Sequence, residues 1–276
     1  MKFLGFLSLL TFLLVLDARV VRAGPDGFSD IRALAAANVA AVNTVRAARV
    51  AQLADMAEHV HLVEYFRAPA EERKKRLLAI KASLKGADMG SELCLIDNEG
   101  AEHLRVVRGR FASDRELSKV EAEAPFFPPG MALRAGQFYT SDPYLSPDVE
   151  EWVIGVVVPV LPGELILHYE HPVKQYHETL RVPDPGRGRF VIVVDRAGHI
   201  IADSRGSLTG NPAEPLVHAK NYFLNIRTGE GALPATIASS VLSGTAGQAE
   251  VTWRGKPYAL AWQAASGLFV AAFEER

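Results

Sequence analysis

The sequence predicts an α+β protein: a long N-terminal helix followed by two tandem units, each with a central antiparallel sheet flanked by helices. Three observations carry this. Residues 28–66 place Ile31, Leu34, Val42, Val45, Leu53, Met56, Val60 and Val63 at spacings of three, four and their sums in an alanine-rich background, the period of an amphipathic helix. Two hairpin-like stretches, LCLIDNEGAEHLRV and FVIVVDRAGHIIAD, repeat apolar strand, aspartate, turn, glycine and strand, with Asp97 and Asp195 in matching positions. Each hairpin is followed by helical or irregular chain and then by three strands, too degenerate a repeat for a solenoid.

The chain has 276 residues, 49% of them apolar, and a net charge of −2. That is enough for a real core in one or two domains. No basic run suits a nucleic acid, and none is expected as a partner. Lys2, the apolar residues 3–16 and Val21-Arg22-Ala23 fit a secretory leader cut after Ala23. The apolar run falls short of the roughly 20 residues of a spanning helix, so cleavage is favoured over an uncleaved anchor. The expected location is bacterial, periplasmic or secreted. One cysteine, Cys94, excludes an internal disulfide; its strand-like setting favours a buried structural thiol over a reactive one.

Taken in order, residues 1–23 are the leader and 24–68 the long helix, with Ser29 as N-cap. The helix should be roughly 55–60 Å long at about 1.5 Å per residue, longer than one compact domain needs. Asn38 and Arg49 interrupt its stripe. The first unit spans 69–180. It contains a basic helix at 70–85, strands at 92–97 and 102–108, and a helix at 113–124 opened by a Ser113/Glu116 capping box. A proline interruption at 125–129 and a helical turn at 131–135 follow. Next comes the densest stretch of the chain, Gly136–Pro172: strand, a turn rich in Ser, Asp and Pro, a β-branched run 152–161 broken only by Gly155, a Pro162-Gly163 hairpin and a further strand. Residues 172–180 read as a connecting helix and 183–186 as a linker. The second unit, 181–276, has strands at 190–195 and 199–203, helices at 213–223 and 235–242, and strands at 248–253, 258–264 and 268–273.

No nucleophile elbow or phosphate-cradling glycine loop occurs, so the chain reads as a non-enzyme without a cofactor. His59 and His61 lie two apart on a helix and cannot chelate one ion from one face. His168, Glu170 and His171 form a strand-end cluster that reads as an ordinary sheet edge, and no metal is expected.

Tyr139-Thr-Ser-Asp-Pro-Tyr144 resembles the aromatic-x-x-x-Pro-Tyr turn of the double Cache family of PAS-like extracytoplasmic sensors. So does the strand ending Val158-Pro159-Val160, on a skeleton matching from about Phe28 to Phe273. The resemblance implies a long helix, then a membrane-distal-type PAS-like domain with a ligand pocket, then a membrane-proximal-type one. Family members are usually receptors with flanking transmembrane helices; this chain reads as a free-standing module. The run matching the family's amino-acid-binding Arg-x-Trp-Tyr is Ala124-Pro125-Phe126-Phe127, without the arginine. Glu170 matches the acidic residue that meets an amino group. On this resemblance Phe126, Phe127, Tyr139, Tyr144 and Trp152 wall a pocket, and Asp142 and Arg108 supply charge. Trp152, at a strand start, reads as core before pocket wall, the Phe126/Phe127 pair reads equally as core, and Asp142 has an alternative as the cap of its own turn.

The implied function is an exported module that binds a small organic acid, amine or amino-acid-like ligand and relays it to a membrane receptor or kinase. It would dimerise, if at all, through the N-terminal helix. The alternatives are an exported structural or interaction protein without a ligand, and an unrecognised hydrolase.

Overall fold

The computed structural model describes residues 27–84, 90–206 and 223–276. The expected leader and nearly all of the expected helix at 213–223 lie outside them. No helix among the described residues is long and apolar enough to cross a membrane.

The N-terminal helix is interrupted. α1 (Ser29–Ala57) ends at Glu58, His59 is extended (φ −66°, ψ 112°), and α2 (Val60–Arg67) restarts the helix. The periodic stripe predicted one helix through this point. The break instead lets Leu62 and Tyr65 join Leu53 and Ala57 against the first sheet. At 29 residues, α1 is about 43 Å long at 1.5 Å per residue. It serves both units: Phe28, Ile31, Leu34, Ala35 and Val42 bury against the second, Leu53 and Ala57 against the first. Asn38 interrupts the apolar stripe for a reason. It is 1% exposed, its Nδ2 donates to the Leu34 and Arg181 carbonyls at 2.9 Å, and its Oδ1 accepts the Arg181 N–H at 2.8 Å. The side chain clamps the inter-unit connection to the helix.

α3 (Ala70–Ser83) follows Pro69, and then the first sheet. Its strands are β1 (Glu92–Asp97), β2 (Glu102–Val107), β3 (Arg110–Phe111), β4 (Tyr139–Thr140), β5 (Tyr144–Ser146), β6 (Glu151–Leu161) and β7 (Leu165–Pro172). They run β3-β2-β1-β7-β6-β4, with β5 also paired to β6. Pro159 is tolerated inside β6 because the register with β7 shifts between Pro159 and Leu161, where a missing N–H breaks no ladder. The helix expected at 113–124 is absent. The Ser113 N–H and hydroxyl both donate to Glu116 at 2.8 Å, as a capping box would begin. The chain then runs as a strap beside β2, its Ser118 carbonyl accepting the Glu102 N–H, which takes the backbone away from a helix. The proline run does not interrupt: α4 (Phe127–Met131) starts there, with proline in its first turn, where a missing N–H has no intrahelical partner anyway.

After α5 (Lys174–Thr179) the second unit repeats the plan with β8 (Arg189–Val194), β9 (Ile200–Asp203), α6 (Ala235–Leu242), β10 (Gly247–Trp253), β11 (Lys256–Ala265) and β12 (Leu268–Glu275). Its order is β10-β11-β12-β8-β9, the same succession as β4-β6-β7-β1-β2 in the first unit. Small residues Ala259, Ala261, Ala265 and Ala272 face α1, so helix and sheet approach closely. The predicted architecture, two PAS-like antiparallel units strung along one N-terminal helical segment, is the observed one.

Candidate functional site

Strand alternation splits each residue set between two faces. In β1, Leu93 and Leu95 face the helices, while Glu92, Cys94 and Ile96 face the other way. Antiparallel register brings Glu170 opposite Glu92, His168 and Arg105 opposite Cys94, and Gly155 opposite Glu170. The face turned away from the helices therefore holds a row of polar groups, and all but a few of their atoms are out of water: Glu92 and Glu170 are 3% exposed and His168 2%.

The Tyr144 hydroxyl donates to Glu170 Oε1 at 2.6 Å and lies 2.9 Å from His168 Nε2. Phe126 stacks flat on the His168 ring, centroids 3.6 Å apart. Gly155 makes the knot possible. A Cβ there would sit 2.8 Å from His168 Nε2 and 3.1 Å from the Tyr144 oxygen, so the one break in the β-branched run is a close-approach glycine. Ser141 fixes the turn by exchanging hydrogen bonds with the Gly155 backbone in both directions.

Beside this knot, Cys94 Sγ donates to Glu92 Oε1 at 2.9 Å. Glu102 accepts the Ser118 N–H at 2.6 Å. Arg105 donates to Asp148 at 2.8 Å and to the Glu116 carbonyl, and its Nε is 3.6 Å from Glu102. The electrostatics follow from burial. Desolvation first, then the neighbouring Glu170, raises the Glu92 carboxyl; desolvation likewise raises Glu170 and Glu102. The Cys94 thiol is pushed up by desolvation and by Glu92, and the Tyr144 phenol by desolvation and Glu170. Burial lowers His168 to about 3, so its ring is neutral at neutral pH.

The structure gathers Phe126, Phe127, Tyr144 and Glu170 on this face, with Tyr139 at its edge. Three sequence-predicted residues lie elsewhere. Arg108 occupies a tight turn (φ 48°), its side chain 60% exposed, and holds the Val149 carbonyl at 2.7 Å and Glu151 at 3.1 Å. Trp152 faces the helices and packs edge-on against Phe223 of the second unit, 4.8 Å between centroids. Asp142 is exposed on its turn. His168 and His171, read together in the sequence, point to opposite faces; His171 pairs with Tyr176 at 3.0 Å. The sequence reading missed Glu92, Glu102 and Arg105, and named Cys94 and His168 only as a buried structural thiol and a sheet-edge residue. Their signal was parity: Glu92/Cys94 and His168/Glu170 are each two apart on a strand, hence on one face.

The cavities among the described residues lie away from this face, and two of them bear on binding. One of about 200 Å³ is apolar and sits between the helices and the first sheet, against Leu62, Ile80 and Leu167. One of about 600 Å³ in the second unit is rimmed by Arg189, Arg205, Arg254 and Lys256. Each of these cations is already ion-paired, to Asp30 and Glu274, Asp203, Glu230 and Glu275 respectively.

No family model and no curated protein matches the sequence. Solved structures do match the fold, which is that of the PAS-like, Cache-type extracytoplasmic sensory domains. The ligand-binding domain of the Campylobacter jejuni chemoreceptor Tlp3, in complex with L-norvaline, superposes with a TM-score of 0.63 at 10% identity over 89% of each chain. The extracellular domain of the putative histidine kinase vpHK1S-Z8 gives 0.67 at 15% identity, over 90% of this chain and 92% of that one. The Pseudomonas aeruginosa amino-acid chemoreceptor PctB ligand-binding domain, in complex with L-Arg, gives 0.57 at 12% identity, over 90% and 94%.

Proposed function

We propose that the chain is an exported, non-enzymatic sensor module. It binds a small amine- or amino-acid-like molecule in its first PAS-like unit and passes the bound state to a membrane receptor or kinase, as a homodimer along α1 where it dimerises. The observation that carries this is the buried acidic wall of the first sheet, Glu170 and Glu92 behind the Tyr139–Tyr144 turn, in a fold whose solved relatives are sensory domains. Tlp3 and PctB domains have been solved with L-norvaline, isoleucine, L-Arg and L-Gln. A ligand amino group neutralising Glu170 would form a charge-assisted hydrogen bond, of about 1.5–3 kcal/mol when dry. The missing arginine upstream of Phe126 favours amines over acids. Phe126 and Tyr144 fill the space in front of Glu170 with their own rings, so binding turns them outward and the site closes over its ligand.

A thermal-shift and calorimetric screen with amines, amino acids, carboxylates and purines tests this. A ligand at about a hundred times its dissociation constant stabilises by about 2.7 kcal/mol. Glu170→Gln is expected to abolish that shift while the chain stays folded. If no compound raises the melting temperature, or if Glu170→Gln responds like wild type, the reading fails.

A further inference from the structure

The cavity of about 200 Å³ lies on the helix side of the first sheet, the face opposite Glu170. Leu62 and Ile80 roof it from α2 and α3, and Leu93, Leu104 and Leu167 floor it from β1, β2 and β7. Each of these five is at most 4% exposed. Close-packed interiors hold few voids larger than a water. A water in such a void needs two to four polar partners, and these five side chains offer none. The polar side chains sit at the mouth instead. Asp55, His59 and Ser83 line the cavity and are exposed, and His59 is where the helix breaks between α1 and α2. The second unit shows why the space exists. There α1 lies on alanines, which let a helix come close. In the first unit the helices stand on leucines, and longer side chains hold packed elements further apart.

We infer that this cavity is a binding site for a small uncharged hydrophobic molecule, the size of one aromatic ring with a substituent. Volume sets the size. An apolar cavity of about 150 Å³ lined by Leu, Ile and Phe takes up benzene, and this one is slightly larger. The walls set the class. An ion or zwitterion among these leucines would hold a buried charge without a partner, whereas an apolar body regains the dispersion contacts that an empty void forfeits. The mouth sets the orientation: a hydroxyl or other polar substituent points out towards Asp55 and Ser83. Occupation ties α2 and α3 to the three strands beneath them. The site is separate from the acidic face and does not rest on the reading above, because its ligand has no ammonium group for Glu170 to meet.

The probe is toluene, added to the full chain. At about ten times its dissociation constant it is expected to raise the melting temperature by about 3–5 °C. Two methionines report where it binds. Met56 lines the cavity, and Met131 packs on the opposite face of the sheet, against the cluster around Phe126 and Ile166. With isotope-labelled methionine methyl groups, toluene should move the Met56 resonance and leave that of Met131 in place; Met56→Leu, a volume-conserving change, assigns the signal. Leu62→Phe fills the space from the roof and should abolish the toluene shift. Glu170→Gln should leave that shift as in wild type. Should Leu62→Phe fail to fold, the methionine resonances and Glu170→Gln carry the test. Neither a melting shift nor a Met56 response at the solubility limit of toluene overturns the proposal if both are missing together. So does a shift that persists in folded Leu62→Phe, a shift lost in Glu170→Gln, or a response at Met131 in place of Met56.

Discussion

The two units share one backbone plan and differ in what they bury on the face away from α1. With Asp97 aligned to Asp195, Glu92 and Cys94 of β1 correspond to Phe190 and Ile192 of β8. Their partners across the sheet are Glu170 and His168 in the first unit and Phe273 and Ala271 in the second. The turns themselves match: Asp97 accepts the Ala101 N–H and pairs with His103 at 2.8 Å, and Asp195 accepts the His199 N–H and pairs with that histidine's ring at 2.9 Å. Yet Phe190 stacks on Phe273 at 4.5 Å and on Trp253 at 5.4 Å, while its counterpart Glu92 meets a second carboxylate. The second face is spent on holding the fold. The first holds buried acidic groups at a cost in stability, and that asymmetry is why the proposed site is placed there.

The comparison can be broken most forcefully in the second unit. Phe273→Ala opens a cavity in the aromatic stack and is expected to destabilise by about 3–5 kcal/mol in denaturant unfolding. A cost under about 1 kcal/mol would mean that the stack is not structural.

The first unit should respond to pH instead. Carboxyls raised in the fold keep protons that the unfolded chain has lost. Unfolding therefore releases protons, and stability falls as pH climbs through the ordinary carboxylate range towards the raised values. The buried His168 and His171 act in the opposite sense below neutrality, since burial lowers both and the unfolded chain takes up their protons first. The clean window is therefore from about pH 7 to about pH 8, above the histidine range and below that of an ordinary thiol. Glu92→Gln combined with Glu170→Gln should flatten the slope and stabilise at the upper end by about 1–3 kcal/mol. A wild-type curve already flat there would contradict the account.

An effect of the same order is expected from Gly155→Ala, about 1–3 kcal/mol through overpacking, with loss of the Tyr144–His168 contact seen in the histidine ring resonances. Smallest of all is Arg108→Ala. It should change stability by no more than about 0.5 kcal/mol, as at other exposed sites, and leave ligand affinity as it was; an effect on that affinity would return this residue to the site.

Much of the fold was legible in the sequence because it is written in local periodicity. The paired hairpins, the closing strands of the second unit and α6 fall where alternation and helical spacing put them. The break at His59 was not legible, because it answers to where the first sheet lies rather than to any helix-breaking residue. The strap at 112–120 misled for the same reason: the capping pair forms, but β2 competes for the backbone. The candidate site was half legible. Aromatic side chains and Glu170 announced themselves through a family-like motif, whereas Glu92, Cys94 and Arg105 sit in short strands whose meaning depends on which face the helices cover. Arg108 and Asp142 show the converse error, since charge next to a turn is most often charge in water.

The Asn38 clamp has a mechanical consequence. Both hydrogen-bonding ends of its amide are tied to the Arg181 backbone, where the chain passes from one unit to the next. The connector therefore cannot act as a free hinge, and a change in the first sheet is expected to reach the second through what packs across both, α1 on the alanine-lined face of β11 and β12 and Trp152 on Phe223. Two units joined in this way move by shear, with the helix as the pushrod.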